Sequence, residues 1–241
     1  MHFLTMFDPI YWIFLGIGMA VSLWANMRVK GAFAKYSKLG TSSHMTGADI
    51  ARAILRDHGI TDVTVEPIAG KLTDHYDPRS RTLRLSEPVY GKNSMAAFGI
   101  AAHEVGHAIQ HADNYGMLGF RSAWVPVANI GSGLSIFLIM GAMFLGGIGT
   151  ALGATLAWAG IALFATTTIF TLITLPVEFD ASRRALLCLE GGNYVNEEEL
   201  QGARTVLSAA AMTYVAAFIT SLLMLIYYAM RLGLFGGRSN D

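Results

Sequence analysis

The residues most capable of chemistry form one short pattern, His103, Glu104, Val105, Gly106 and His107. If this segment is helical, the two histidines lie four residues apart on one face, where their imidazoles can hold a zinc ion. Glu104, beside the first histidine, can then reach a metal-bound water as general base. At this chain's own residue frequencies, the pattern arises by chance in only about 0.7% of such chains. The alternative, a pair of hydrogen-bonded core histidines, would leave a glutamate buried among apolar residues.

A hydrolytic zinc site also needs a third protein ligand and an open position for water. Glu178 is the favoured candidate, because two predicted membrane spans return the chain from the second histidine to the same side of the membrane. The alternative for Glu178 is an interfacial carboxylate paired with neighbouring arginines. Asp113 is the second candidate, although its arrangement normally needs a glycine where this chain has Gln110. His111 is the weakest candidate, since it lies about 12 Å along the helix from the first histidine.

Peptide hydrolysis further requires a hydrogen-bond donor for the developing oxyanion. His75, Tyr76 and Arg183 are candidates because each can donate, with an ordinary surface role as the alternative. The predicted strand at 82–86, just before the active helix, is a candidate for pairing with an extended substrate.

The polar region between the first two apolar segments has a soluble composition and must position these side chains. Helical periodicity predicts one helix capped by Thr46 and ending at Gly59, and a second helix over about 94–112 that carries the histidines. Alternation predicts two short strands, at 63–65 and 83–85, and the polar stretch 73–78 between them is predicted to be a loop. Beyond this region, Pro176 is expected at the start of a further helix.

The composition is that of a membrane protein, with 53% hydrophobic and 14% charged residues, whereas a soluble domain averages about 25% charged. Apolar segments of bilayer length lie at 10–25, 125–145, 151–175 and 206–230. A glycine-rich turn at 146–149 joins the second and third segments into a predicted helical hairpin. The formal charge of zero gives no reason to expect a nucleic-acid partner. The single cysteine cannot form an internal disulfide, so a metal would be bound by histidine and carboxylate.

The distribution of basic residues predicts the orientation in the membrane. The first apolar segment is interpreted as a retained anchor and not a cleaved signal peptide, because basic residues follow it and none precedes it. Of the 17 basic residues, 12 lie in 26–124 and three in 176–205. Under the positive-inside rule, both polar regions and the active site are expected to face the cytoplasm.

These features predict a mainly α, polytopic protein of the cell membrane with about four transmembrane helices and a small α+β zincin-like cytoplasmic domain. The expected segments are an anchor (1–25), the zincin-like domain with HEVGH (26–118), a transmembrane hairpin (119–175), a cytoplasmic segment with the third zinc ligand (176–205), and a fourth transmembrane helix with a tail (206–241).

The chain resembles the YugP-type membrane zinc metallopeptidases in its HEVGH motif, in 74–78 with 83–86, and in 178–184. The resemblance covers most of the chain and implies a neutral zinc endopeptidase of bacterial membranes, with His103 and His107 as ligands and Glu104 catalytic.

A more distant similarity, to the HtpX-like and CAAX-prenyl-protease zinc peptidases, implies Glu178 as the third ligand, because that group places a glutamate ligand after a transmembrane hairpin. The same group carries an aspartate four residues after its glutamate. Here Ser182 occupies that position and Asp180 lies two residues earlier, so the residue that would orient a ligand histidine is not assigned by the similarity.

The expected activity is hydrolysis of peptide bonds by zinc-activated water, with a peptide or a membrane protein as substrate and the lipid bilayer as environment. One alternative is a non-catalytic, zinc-stabilised membrane scaffold that does not use Glu104. A second is an intramembrane protease with HEVGH inside the bilayer, which would place that carboxylate at a costly depth. The sequence does not predict the oligomeric state.

Overall fold

The computed structural model describes residues 8–231, which are mainly helical. The helices are α1 (Pro9–Tyr36), α2 (Gly47–Asp57), α3 (Glu87–Tyr90), α4 (Met95–Ala112), α5 (Gly116–Phe144), α6 (Ala151–Gly191) and α7 (Glu197–Arg231). The strands are β1 (Thr64–Ile68), β2 (His75–Asp77) and β3 (Thr82–Ser86). Residues 1–7 of the expected anchor and 232–241 of the expected tail lie outside the described residues.

Four of the described helices, α1, α5, α6 and α7, are long and apolar enough to cross a membrane. The number of candidate spans within residues 8–231 therefore equals the predicted four, and the turn at Gly147–Gly149 joins α5 to α6 as predicted. Each helix is longer than its apolar segment, because residues beyond the apolar stretch also adopt helical geometry.

The expectation that Pro176 begins a new helix is wrong, because Pro176 lies inside α6. A proline within a helix loses one intrahelical hydrogen bond and costs about 3 kcal/mol. Tertiary packing offsets this cost in the next turns, where Val177 and Ala181 are fully buried. The apolar segment and the polar segment after it therefore form one continuous helix.

The described residues divide into two compact units. One unit holds 8–24, Phe120–Thr174 and 214–231. Its helices approach closely at small and hydroxyl residues, as is typical of packing in membranes: Trp124 Nε1 donates to the Thr166 carbonyl at 3.0 Å, and the hydroxyls of Thr171 and Ser221 lie 3.0 Å apart.

The second unit, Ala25–Gly119 and Leu175–Thr213, contains the sheet and α4. The start of α2 is fixed by a capping box, in which Thr46 accepts from the backbone N–H of Asp49 and the Asp49 carboxylate accepts from the backbone N–H of Thr46. The start of α4 is fixed by Ser94, whose hydroxyl accepts from the backbone N–H of Ala97. Both helices therefore begin where the sequence predicts, and they pack together in one apolar core with β3.

The sheet has the order β1-β3-β2, with β1 parallel and β2 antiparallel to β3. The prediction of a loop throughout 73–78 is wrong, because three of its residues form β2. Two hydrogen bonds flank this strand: Asp74 accepts from the backbone N–H of Ser86 at 2.7 Å, and Asp77 closes the following turn by accepting from the backbone N–H of Arg79 at 3.0 Å. Since β3 is paired along both edges, the expectation that it pairs with a substrate is also wrong.

Candidate metal centre

Two imidazoles from α4 and one carboxylate from α6 meet at a single point. The Glu178 Oε2 atom lies 3.3 Å from His103 Nε2 and 3.6 Å from His107 Nε2. One ligand atom from each of the three residues lies within 4.8 Å of the others, and the Glu178 side chain is only 3% exposed. Within residues 8–231, this is the one group of three or more such side chains with atoms close enough for a metal.

The close approach of α4 and α6 depends on Gly106, the glycine of the HEVGH motif. A Cβ at this position would lie 2.5 Å from the carbonyl oxygen of Ala181, closer than two such atoms can approach. Gly106 precedes His107 directly, and Ala181 follows Glu178 by less than one helical turn. The missing side chain therefore lets the backbone that carries one imidazole lie against the backbone that carries the carboxylate.

The Nδ1 atoms of the two histidines contact different neutral groups. His103 Nδ1 lies 3.1 Å from the Ser182 hydroxyl, and His107 Nδ1 lies 2.9 Å from Gln110 Oε1. With Nδ1 engaged in this way, Nε2 of each ring is the atom directed at Glu178. Contacts of this kind fix ring orientation and tautomer in metal sites.

Electrostatics at the centre follow from its burial. Glu104 is only 8% exposed, and this burial raises the pKa of its carboxyl, against the opposing effect of His103 and His107. For His107, burial lowers the pKa, but the hydrogen bond and charge of Glu178 outweigh it and raise the pKa above its ordinary value. A buried carboxyl with a raised pKa is suited to accept and release a proton near neutral pH.

The other proposed zinc ligands have partners elsewhere. Asp113 is the C-cap of α4 and forms an ion pair with Arg184 at 2.5 Å. His111 Nδ1 lies 2.9 Å from the Tyr76 hydroxyl, one turn beyond His107. Neither belongs to the group of metal-ligating atoms found within residues 8–231.

The three proposed oxyanion donors are not brought together. The Tyr76 hydroxyl contacts His111, as described above, and burial raises its pKa. His75 Nδ1 lies 2.8 Å from the Thr73 carbonyl oxygen. Arg183 donates to Asp180 at 2.5 Å, with its side chain 63% exposed.

Two contributors to the site, Gln110 and Gly106, were not identified as such from the sequence. Gln110 is fully buried on an apolar helix and lies three residues after His107, hence on the same face. A polar residue at a core-facing position beside a ligand histidine was the available signal. For Gly106, the sequence offers no comparable signal, because the residue it approaches lies 75 positions later in the chain.

Comparison with known proteins agrees with this geometry. A family described as "putative neutral zinc metallopeptidase" matches residues 11–233. A protein of Bacillus subtilis (strain 168) with the printed name "Putative membrane protease YugP" is 48% identical over 219 residues, which is 90% of this chain and 95% of that protein. No solved structure shows a significant match. From the family match and this relative, the chain belongs to the family of putative neutral zinc metallopeptidases.

Proposed function

We propose that the protein is a zinc-dependent membrane endopeptidase, with His103, His107 and Glu178 as the zinc ligands and Glu104 as the general base. The observation that carries the proposal is the convergence of two Nε2 atoms and one carboxylate oxygen beside a buried glutamate. The membership of a family of putative zinc peptidases and the printed name of the relative support the same activity.

The donor set fits zinc in chemistry, and two of its separations fit zinc in distance. Histidine nitrogen and carboxylate oxygen are ligands that zinc uses, and three protein ligands leave a fourth position for water, as in hydrolytic sites. Bonds of 2.0–2.1 Å in tetrahedral geometry require ligand atoms about 3.3 Å apart. The separations of 3.3 and 3.6 Å between Glu178 and the two imidazoles are close to that value, and all three ligand atoms lie within 4.8 Å of one another, so binding zinc would draw them closer together.

Each residue of the centre then has a defined task. When bound, zinc supplies Lewis acidity, which lowers the pKa of a coordinated water and polarises the peptide carbonyl. Glu104 would accept a proton from the attacking water and donate it to the amine of the leaving peptide. The burial that raises the pKa of Glu104 helps it to hold this proton between the two steps.

The oxyanion donor is proposed among Tyr76, His75 and Arg183. Tyr76 and Arg183 must give up or share their contacts with His111 and Asp180 to reach a substrate. Single substitutions Tyr76→Phe, His75→Gln and Arg183→Gln, compared by kcat, identify the donor as the position where kcat falls about 100-fold or more while zinc stays bound.

The environment of α4 supports a zincin-like domain outside the bilayer. This helix packs on α2 and on the sheet in the apolar core of its unit, and it is not among the four candidate spans found in residues 8–231. These observations favour the present proposal over an intramembrane protease. The proposed substrates are peptides or membrane proteins reached from the cytoplasmic side.

The orientation is tested by chemical labelling. In a Cys188→Ser background, which removes the native thiol, a cysteine introduced by Lys71→Cys should react with an impermeant maleimide only after the membrane is opened. Reaction in intact cells would place the active site outside.

Zinc stoichiometry of the detergent-purified full chain tests the centre without a known substrate. We expect one zinc per wild-type chain, loss of zinc in Glu178→Ala, and retained zinc in the matched control Asp113→Ala. Glu104→Gln should keep zinc but lose cleavage of a quenched-fluorescent peptide library. Absence of zinc from the wild type would refute the proposal, and unchanged activity of Glu104→Gln would favour the scaffold.

A further inference from the structure

The amide of Gln110 has a fixed orientation inside the protein. This side chain is 0% exposed, and its Nε2 atom donates to the Val177 carbonyl at 2.8 Å and to Asp180 Oδ2 at 3.0 Å. A backbone carbonyl can only accept a hydrogen bond, so the nitrogen end of the amide must face Val177. The oxygen end therefore faces His107 and can only accept from it.

This orientation determines the tautomer of His107. Since Gln110 Oε1 accepts, His107 Nδ1 at 2.9 Å must carry the proton. The Nε2 atom of a neutral imidazole then has a lone pair, and it is this atom that lies 3.6 Å from Glu178. His103 is different, because the Ser182 hydroxyl at 3.1 Å can either donate or accept and does not define a tautomer.

Asp180 holds the amide in turn. Its side chain is 12% exposed and pairs with two guanidinium groups, Arg183 at 2.5 Å and Arg184 at 2.6 Å. These ion pairs keep the carboxylate charged and oriented beside Gln110 Nε2. The Asp180 carboxylate therefore does not contact the His107 imidazole directly. The Gln110 amide lies between them and connects them by two hydrogen bonds.

We propose that Gln110 is a positioning residue that holds His107 in its metal-binding tautomer, and that Asp180 is the group that fixes Gln110. This inference rests on the proposed zinc site and adds to it the residues that prepare one ligand. Loss of such an outer partner typically weakens metal affinity about 10- to 100-fold.

The test is the zinc dissociation constant of the detergent-purified full chain, measured by competition with a chromophoric chelator. Gln110→Leu has a similar volume but no hydrogen bonds, and we expect it to raise the zinc Kd about 10- to 100-fold. Asp113→Asn is the control, because it removes an ion pair with Arg184 and leaves Gln110 untouched; its Kd should equal that of the wild type.

Exchanging the amide and the carboxylate between residues 110 and 180 distinguishes a positioning role of Gln110 from a general loss of structure. Gln110→Glu alone places a carboxylate beside Asp180 and should weaken zinc binding about tenfold or more. Combined with Asp180→Asn, the carboxylate at 110 accepts from His107 and from the new amide, so the repulsion from residue 180 is removed, while the Val177 carbonyl still faces an acceptor in place of its donor. We expect the double variant to bind zinc more tightly than the Gln110→Glu variant but less tightly than the wild type, because the Val177 carbonyl has lost its donor from residue 110.

The outcomes distinguish this inference from the proposed function. A wild-type Kd in Gln110→Leu, or a double variant no better than Gln110→Glu, overturns the positioning role while the zinc site stands. A wild-type protein that binds no zinc overturns both.

Discussion

Replacing Gly106 with alanine tests whether the contact between α4 and α6 sets the geometry of the metal centre. The new Cβ would lie 2.5 Å from the Ala181 carbonyl oxygen, about 0.9 Å inside the 3.4 Å at which ordinary contact begins. The neighbouring carbonyl carbon and Cα of Ala181 would lie at 3.1 and 3.2 Å. All three are backbone atoms of a helix, so no flexible side chain can move aside, and the two helices must separate.

The expected loss of zinc affinity follows from comparing the separation of α4 and α6 with the change in metal–ligand distance that a metal site tolerates. Metal–ligand distances are held to about 0.2 Å, so a separation of several times that amount should weaken zinc binding at least about tenfold. Overpacking costs about 1–3 kcal/mol, and replacing glycine by alanine in a helix offsets about 1 kcal/mol of it. We expect the free energy of unfolding to fall by about 0–2 kcal/mol in the Gly106→Ala protein.

Two further glycines provide a graded series for this assay. At Gly99, also on α4, a Cβ would lie 3.2 Å from the Cβ of Ala203, so Gly99→Ala should lower stability slightly and leave the zinc Kd unchanged. At Gly119, inside α5, nothing lies within 4 Å, so Gly119→Ala should be neutral or stabilising by up to about 1 kcal/mol. Zinc Kd and thermal unfolding are measured for all three, and a wild-type zinc Kd in Gly106→Ala would refute the reasoning.

Three further predictions concern stability. Removing zinc with a chelator should lower the melting temperature, because a ligand at 100 times its Kd stabilises the folded state by about 2.7 kcal/mol. In Glu178→Ala the chelator should leave the melting temperature unchanged. A chelator-induced decrease in that variant would exclude the Glu178 carboxylate as a ligand. Burial raises the pKa of Asp74 above 3.8 despite its hydrogen bonds from Ser86, so the folded state binds this proton more tightly and stability is lost as pH rises from 3.8 through the raised pKa. Asp74→Asn should flatten that part of the pH profile in metal-free protein, and an unchanged slope would contradict the assignment. Thr46→Ala removes one half of the capping box with Asp49 and should lower the free energy of unfolding by about 1 kcal/mol; denaturation with no loss of stability would show that the cap is dispensable.

The predictions that succeeded depend on local patterns. The starts of α2 and α4 follow from Thr46 and Ser94, whose side chains accept from the first turn of each helix. The four spans follow from length and apolarity. For Glu178, counting spans predicted that the chain returns to the histidines, and the structure brings the Glu178 carboxylate within 3.3 and 3.6 Å of their Nε2 atoms, while its role as a ligand stays a prediction.

The predictions that failed depend on contacts between distant segments. The strand β2 is only three residues long, and its partner β3 and the Asp74–Ser86 hydrogen bonds decide its conformation. Pro176 marks a helix start by local propensity, whereas packing on both sides of it continues α6. The role of Gln110 depends on Val177 and Asp180, 67 and 70 positions away.

The position of Glu178 in the chain has a consequence for biosynthesis. This residue follows His107 by 71 positions, and the whole helical hairpin lies between them. At about 5–20 residues per second, the ribosome needs roughly 4–14 s to add that segment. During this time a nascent chain has both histidines but no carboxylate from α6, so a three-ligand centre cannot form. If the proposed site is the active one, hydrolytic competence would begin only after both arms of the hairpin have been made, and an unfinished chain would have no proteolytic activity.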